Sequence, residues 1–596
     1  MVKHALRCSK MTPQAAFQIP PHRFEASGGF FTPCAEMRVV IIAPEVQPMA
    51  LAMVVPALPA GTSRQMVVGE GYSLTWGDAE ALPRLPAKLT LPNAEAFAFE
   101  VTSRGVAVRA TSAEGLFRGC AWLRREVAQG QLPCGVGEDG PELAVRGVML
   151  DVSRNRVYSV KTVCEVVDWM AQLGLNQLEL YFENVFAYRD HAAVWAQTSP
   201  YTPADLAAIE AYCAARFVHF VPNQNTLGHF ERWLKHPDYL RYAELPQGGA
   251  RTPWGSIQAH PTGLFAADPA TRTFVKGLLE ELLPCFPKAT RVNLGGDEVF
   301  DLGQGRSQTE DKAGLYLSYM REMAAVAERY GKRPELWADM LLRHPEMIPH
   351  AKAMLPEAIW VVWGYEASDP LVANVARLRT AGLRVMVAPG TSSWRSFCGR
   401  TSNMVANITA AAEADAEGML LTDWGDAGHW QPLAVALPAL VLAAVKAWRR
   451  GAEPDVAAFV DALVSQRGVG ELLLRLGDTY REAKAEAGNA TKLFQAYNLS
   501  LADAPALDRE ALRSAFDTLQ DLAVMASRLT PSLIAQEVEH ALALQLLAVK
   551  RALGMRGLQR ERARLAAQME QLWLARGPRA QLDASLEAFL APELPR

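Results

Sequence analysis

Between residues 146 and 450 the chain repeats one rhythm eight times: a short apolar run, a polar loop, then a helix-period segment. The strand-like runs are Gly147–Val152, Gln177–Phe182, Val218–Asn223, Arg291–Leu294, Glu335–Ala338, Ile359–Trp363, Arg384–Ala388 and Met419–Thr422. Helical patterns such as Val160–Leu173, Pro203–Arg216, Thr271–Leu283 and Lys312–Tyr330 separate them. Eight β/α units in about 300 residues match what a closed (β/α)8 TIM barrel requires. A doubly wound open sheet normally has fewer units and a glycine-rich first turn, which MLDVSRN lacks. The pattern predicts an α/β chain built on a barrel.

The flanks read differently. Residues 37–141 alternate strand-like runs with Pro/Gly breaks and predict a small α+β domain. Its clearest stretch, EAFAFEVTSRGVAVRATSAEGLFRGCAWLRREVAQ, reads as strand, Arg-Gly turn, strand and helix. Residues 1–36 read as an irregular N-terminal extension, 142–450 as the barrel, and 451–596 as an α-helical C-terminal domain with breaks near Pro505, Pro531 and Gly557. The Arg-dense stretch RGLQRERARLAAQ has the charge for an RNA-binding face. Its interleaved glutamates and helical leucine spacing fit a solvated helix in a bundle better.

Composition excludes several classes. Half the residues are hydrophobic, and 60 basic against 64 acidic residues leave a net charge of −4, so neither a nucleic-acid groove nor an anionic membrane surface is expected as a partner. The eight cysteines lack C-x-x-C spacing and read as reduced, buried thiols. The opening MVKHALRCSKMTPQ lacks the apolar core of a signal peptide, and no apolar run reaches membrane-span length. A cytoplasmic protein is expected. No histidine pair has metal-ligand spacing, so no metal and no cofactor are expected. A homodimer through the helical zone stays open.

Barrel enzymes carry their active sites at the carboxyl ends of the strands. Those positions here hold Asp151, Ser153 and Arg154, then Glu183 and Asn184, then Gln224, Asn225 and His229. Asp297 and Glu298 follow the fourth strand, Trp337 and Asp339 stand at the fifth, and Trp363 and Tyr365 at the sixth. Trp394 follows the seventh, and Trp424 and Asp426 the eighth. Carboxylates, one arginine and several indoles suit a pyranose, which presents apolar C–H faces and a rim of hydroxyls. In VNLGGDEVFDLG, two glycines let the backbone pass close to a ligand before two adjacent acids emerge from a buried strand.

RGVMLDVSRN, LGGDE and TDWGD, in that order and spacing, resemble the signatures of glycoside hydrolase family 20, the β-N-acetylhexosaminidases. The resemblance covers residues 60–450, since EVTSRGVAVRATSAEGLFRGCAWL also resembles the small domain that precedes this family's barrel. It implies a retaining exo-enzyme acting on substrates with a terminal N-acetylhexosamine, whose nucleophile is the substrate's own 2-acetamido oxygen. Glu298 would be the general acid, then the base that activates water. Asp297 would hold the acetamide N–H and face the oxazolinium-like charge. Arg154 would bind the 3- and 4-hydroxyls, and Asp426 the 4- or 6-hydroxyl. Trp337, Trp363 and Trp424 would wall the sugar, with Trp394 beside them. His229 occupies the place of a family histidine tied to the acid, and a relay Glu183–His229–Glu298 is expected to tune it. Two adjacent acids in a partly dry pocket should split in proton affinity, Glu298 raised and Asp297 ionised.

The chain departs from the family pattern in three places. Asn293 stands where many members have His, Asn225 where many have Asp, and the strand-seven tyrosine has no equivalent in VAPGTSSW. Tyr365 or a tyrosine from another loop is left to substitute. The alternatives are a catalytically silent glycan-binding barrel and another amino-sugar hydrolase with a paired-Asp centre. Intact Asp297, Glu298, Arg154 and Trp424 speak against the first, and the Asp-Glu pair against the second.

Overall fold

The computed structural model describes residues 18–34, 37–60, 62–77, 89–128, 130–500 and 502–595. Its centre is a closed barrel of eight parallel strands in sequential order around the ring. The strands are Val145–Asp151, Gln177–Phe182, His219–Gln224, Arg291–Asn293, Arg333–Trp337, Ile359–Trp363, Arg384–Ala388 and Gly418–Asp423. All eight lie within two residues of the predicted runs. The helices follow the same logic. Val160–Leu173 starts where the Ser159 hydroxyl accepts from the Thr162 N–H and stops at Gly174, whose φ of 77° only glycine adopts cheaply.

The barrel interior is partly polar. Glu179 lies at its middle, and its carboxyl accepts from Gln177, Asn223 and Asn293 side chains at 2.7, 2.8 and 3.2 Å. Burial, and the neighbouring Glu335, raise its proton affinity well above that of an ordinary glutamate. Asn293 also accepts from the Gly295 N–H at 3.0 Å. An amide at this position therefore joins the polar interior to the turn that carries the acidic pair.

The N-terminal domain is a seven-stranded sheet covered by the helix Ala113–Val127. Residues 23–31 depart from the irregular extension expected there: Arg23–Phe31 is a strand, paired antiparallel with Leu132–Asp139. Gly28 and Gly29 sit at positive φ where the register shifts between Ala26 and Phe30. They make a bulge, not an end. Phe31 packs edge-on against Trp76 at 5.4 Å, which anchors the strand to the domain core. Residues 1–17, including the opening MVKHALRCSKMTPQ and Cys8, lie outside the described residues, and the seven described cysteines are free thiols. Among the described residues no helix is long and apolar enough to cross a membrane.

Among the described residues from Val456 to Leu590 the only strands form one short hairpin, and helices joined by loops make up the rest. The helix Gln559–Arg576 holds the Arg-dense stretch and buries Leu565, Met569, Leu572 and Trp573 in the bundle. This domain grips the first β/α unit. The Arg576 carbonyl accepts from the Ser159 N–H and the Thr162 hydroxyl at 2.9 and 2.7 Å. The buried Arg576 guanidinium pairs with Glu537 and Glu165, and Arg156 lies 4.3 Å over the Trp573 ring.

Candidate active site

The fourth strand ends at Asn293, and the chain then turns through Gly295 and Gly296 at φ 70° and 87°. The glycines serve packing against protein, not the close approach to a ligand expected from sequence. A Cβ on Gly295 would lie 2.2 Å from Asn225 Oδ1, and one on Gly296 2.8 Å from Tyr316 Oη. The turn delivers Asp297 and Glu298, the latter at φ 49°, a left-handed conformation that costs a non-glycine residue energy and recurs at functional sites.

Glu298 has a fixed backbone and a shifted carboxyl. Its N–H donates to Asp339 Oδ2 at 3.1 Å, and Arg343 pairs with the same oxygen at 3.0 Å. Burial, with repulsion from Asp297 and Asp339 outweighing the His229 cation, pushes Glu298 up to about 7. That value lets it hold a proton near neutrality and then give it away. Asp339 is itself raised to about 6 by burial and Asp297. Asp339 stood among the strand-end residues without a role; its carboxyl accepts the Glu298 N–H and so fixes the turn that carries the acidic pair.

His229, at φ 58°, places Nε2 3.1 Å from Asp297 Oδ2 and 3.7 Å from Glu298 Oε2. Burial works against its charge, but Asp297 prevails and raises it to about 10. The expected relay through Glu183 is not formed. The Glu183 carboxylate is engaged by Arg154 Nε at 3.3 Å, Arg232 Nε at 3.2 Å and the Tyr181 hydroxyl at 3.1 Å. Two guanidinium groups compete for that carboxylate at closer range than the imidazole. His229 is therefore tied to the acidic pair directly, and Glu183 belongs to the arginine side of the pocket.

Arg154 stands between two aromatic faces, 4.6 Å from the Tyr181 ring centre and 4.9 Å from that of Trp424. Asp151 anchors it, accepting from its backbone N–H at 3.1 Å and pairing with its guanidinium at 3.3 Å. Burial favours the protonated form of Asp151, yet Arg154 and backbone N–H groups hold it below the usual carboxylate range. Asn225 fits here also: its amide donates to the Tyr181 oxygen at 2.6 Å, continuing the chain toward Glu183.

The predicted aromatics converge. Trp337, Tyr365, Trp394 and Trp424 are buried in one cluster with Tyr181, and Trp363 packs against it. Trp363 stacks on Tyr365 at 5.3 Å, Trp394 meets Tyr365 edge-on at 5.1 Å, and Trp337 lies 6.5 Å from Trp424. Among the described residues, Asp297 Oδ1 and Trp337 Nε1 are buried polar atoms with no hydrogen-bond partner. Burying such atoms is costly unless something pairs with them. Asp426, at the eighth strand's end, makes no ion pair among the described residues; burial raises it, while Arg154 and Arg395 pull it down. The result is an aromatic-walled site with Arg154 at one side and Glu298, its proton affinity raised, at the other. Among the described residues no cluster of His, Cys, Asp and Glu could hold a metal ion.

Comparison with known proteins agrees. Residues 144–432 match the model of the glycosyl hydrolase family 20 catalytic domain. Human "Hexosaminidase D" is 26% identical over 334 residues, 51% of this chain and 66% of that one. A "Beta-N-acetylhexosaminidase" of Cellulomonas fimi is 27% identical over 379 residues, 60% of this chain and 69% of that one. Among solved structures, Flavobacterium johnsoniae chitobiase superposes with a TM-score of 0.56 at 15% identity, covering 98% of this chain and all of that one. A β-N-acetylhexosaminidase from Bacteroides fragilis does so at 0.55 and 18%, covering 75% of this chain and 94% of its own. At these identities the superpositions speak to the fold alone. Motifs, barrel and family match together show a glycosyl hydrolase family 20 catalytic domain over residues 144–432, the barrel at the centre of the chain.

Proposed function

We propose that the protein is an exo-acting β-N-acetylhexosaminidase that releases a terminal β-linked N-acetylhexosamine with retention, the substrate's acetamide serving as nucleophile. The observation that carries this reading is Asp297 Oδ1, a buried acceptor with no partner beside a wall of indoles. An acetamide N–H supplies the missing donor. With its N–H held, the acetamide oxygen attacks the anomeric carbon from below as the glycosidic bond breaks. Glu298 gives its proton to the departing oxygen, and positive charge spreads over the oxazolinium ring opposite the Asp297 carboxylate. Water, activated by Glu298 now acting as base, then opens that ring and restores the acetamide. Arg154 and Asp426 bind the hydroxyl rim of the same sugar, and the indoles cover its apolar faces.

Hydrolysis of chromogenic N-acetyl-β-glucosaminide and N-acetyl-β-galactosaminide is the direct test. Activity on either, and none on the corresponding β-glucoside lacking the acetamide, is the expected result. Equal cleavage with and without the acetamide would remove substrate assistance. A well-folded protein that binds but cleaves neither would leave a glycan-binding barrel.

A further inference from the structure

The mechanism leaves unused a polar network joining the C-terminal helical domain to the pocket. Its centre is Arg232, in the short helix Glu231–Leu234 that follows the third strand. This guanidinium donates to Glu183 at 3.2 Å, to Asn155 Oδ1 at 3.1 Å and to Gln581 Oε1 at 2.9 Å. All three donating nitrogens are thus engaged, one by a residue 349 positions away. Gln581 sits at φ 47°, a strained left-handed conformation, directly before the helix Leu582–Leu590. One turn on, the Ser585 hydroxyl accepts from Asn155 Nδ2 at 2.9 Å and donates to the Gly428 carbonyl at 2.8 Å. Asn155 directly follows Arg154, and Gly428 closely follows Asp426. The helical domain therefore touches both loops that carry the proposed sugar-binding groups.

The arrangement has a consequence for Arg154. Glu183 is shared between Arg154 and Arg232 and is nearly fully buried. A carboxylate that two guanidinium groups and the Tyr181 hydroxyl share is held more firmly toward Arg154 when the second guanidinium is itself held. Gln581 and Asn155 hold Arg232, Arg232 fixes Glu183, and Glu183 fixes Arg154.

We propose that the C-terminal helical domain completes the sugar pocket, with Gln581 and Arg232 as positioning residues that keep Arg154 in its binding orientation. The proposal rests on the reading of Arg154 as a sugar-binding group. Neither residue touches the reacting atoms; each acts through the Glu183 bridge.

A double-mutant cycle on the full-length protein tests it. Gln581→Ala should lower kcat/KM about five- to tenfold, mainly through KM, with the melting temperature unchanged. In the Arg154→Ala background the same change should alter kcat/KM less than about twofold, because the group being positioned is gone. Gln581→Glu, which keeps the acceptor oxygen facing Arg232, should restore activity. Arg232→Gln, run through the same cycle, should repeat the pattern and guards against a Gln581 variant that folds poorly. Additive losses with Arg154→Ala, or an unchanged kcat/KM in Gln581→Ala and Arg232→Gln while Arg154→Ala is crippled, would overturn the positioning role alone. An unimpaired Arg154→Ala would overturn the sugar-binding assignment and, with it, this inference.

Discussion

His229 Nε2 lies 3.1 Å from Asp297 Oδ2, and the contact makes this imidazole a cation across the neutral range, raised to about 10. A fixed positive charge thus sits behind the acidic pair, only 3.7 Å from Glu298. It pulls the proton affinity of Glu298 down, against burial, Asp297 and Asp339.

The basic limb of kcat/KM follows from that balance. In the proposed mechanism Glu298 acts protonated, so kcat/KM should fall as pH rises through about 7. In His229→Gln the downward pull is lost, and the limb should move up by about half to one pH unit. A limb that stays in place, or moves down, would mean that His229 does not tune the acid.

Leaving-group dependence separates protonation from the rest of catalysis. Glu298→Gln should fold normally and lose most activity on substrates with poor leaving groups. It should lose far less on an activated aryl substrate, which needs little protonation. Rates measured on a natural disaccharide and on an aryl glycoside decide this, and equal losses on both would exclude Glu298 as the acid.

Asp297→Asn is nearly isosteric but neutral. Substrate binding should persist while kcat falls about 10²- to 10³-fold, the usual cost of losing one preorganised electrostatic contact. A thiazoline mimic of the cyclised intermediate should bind the wild-type protein tightly and the Asn variant weakly. Equal inhibition constants would reassign Asp297, with a direct nucleophile the next role to test.

Stability should also report on Glu298. Its affinity is raised in the fold, from an ordinary value of 4.5 to about 7. The proton therefore favours folding at pH values below 4.5, and this contribution is lost as pH rises through 7. Glu298→Gln escapes that loss. Relative to wild type it should gain about 1 to 2 kcal/mol between pH 4.5 and pH 8, discounted for the partial exposure of the side chain. Denaturant midpoints at the two pH values measure the gap; a gap independent of pH would contradict the raised affinity.

The strand-helix rhythm, the strand ends and the GGDE turn were legible without coordinates, because apolar periodicity and turn residues are local properties of a chain. Ser159 and Gly174 bound their helix by contacts within one turn of themselves, so the helix could be drawn from sequence. Arg154, Asp297, Glu298 and Trp424 were legible because a closed barrel brings all its strand ends to one face. The partner of His229 was not. Whether an imidazole meets Glu183 or Asp297 depends on which side chain reaches it first across the barrel mouth, and Arg232 decided the matter by claiming Glu183. The strand at Arg23–Phe31 escaped notice for a similar reason, since its glycines are a break or a bulge according to the strand that pairs with them. Gln581 was beyond any reading of sequence, lying 349 residues from the guanidinium it holds. Sequence by itself determined the barrel, the acidic pair and the ring of candidate residues. Only tertiary structure decided which charges face one another, because the energy of a charge pair depends on distance and burial, and neither is written in sequence separation.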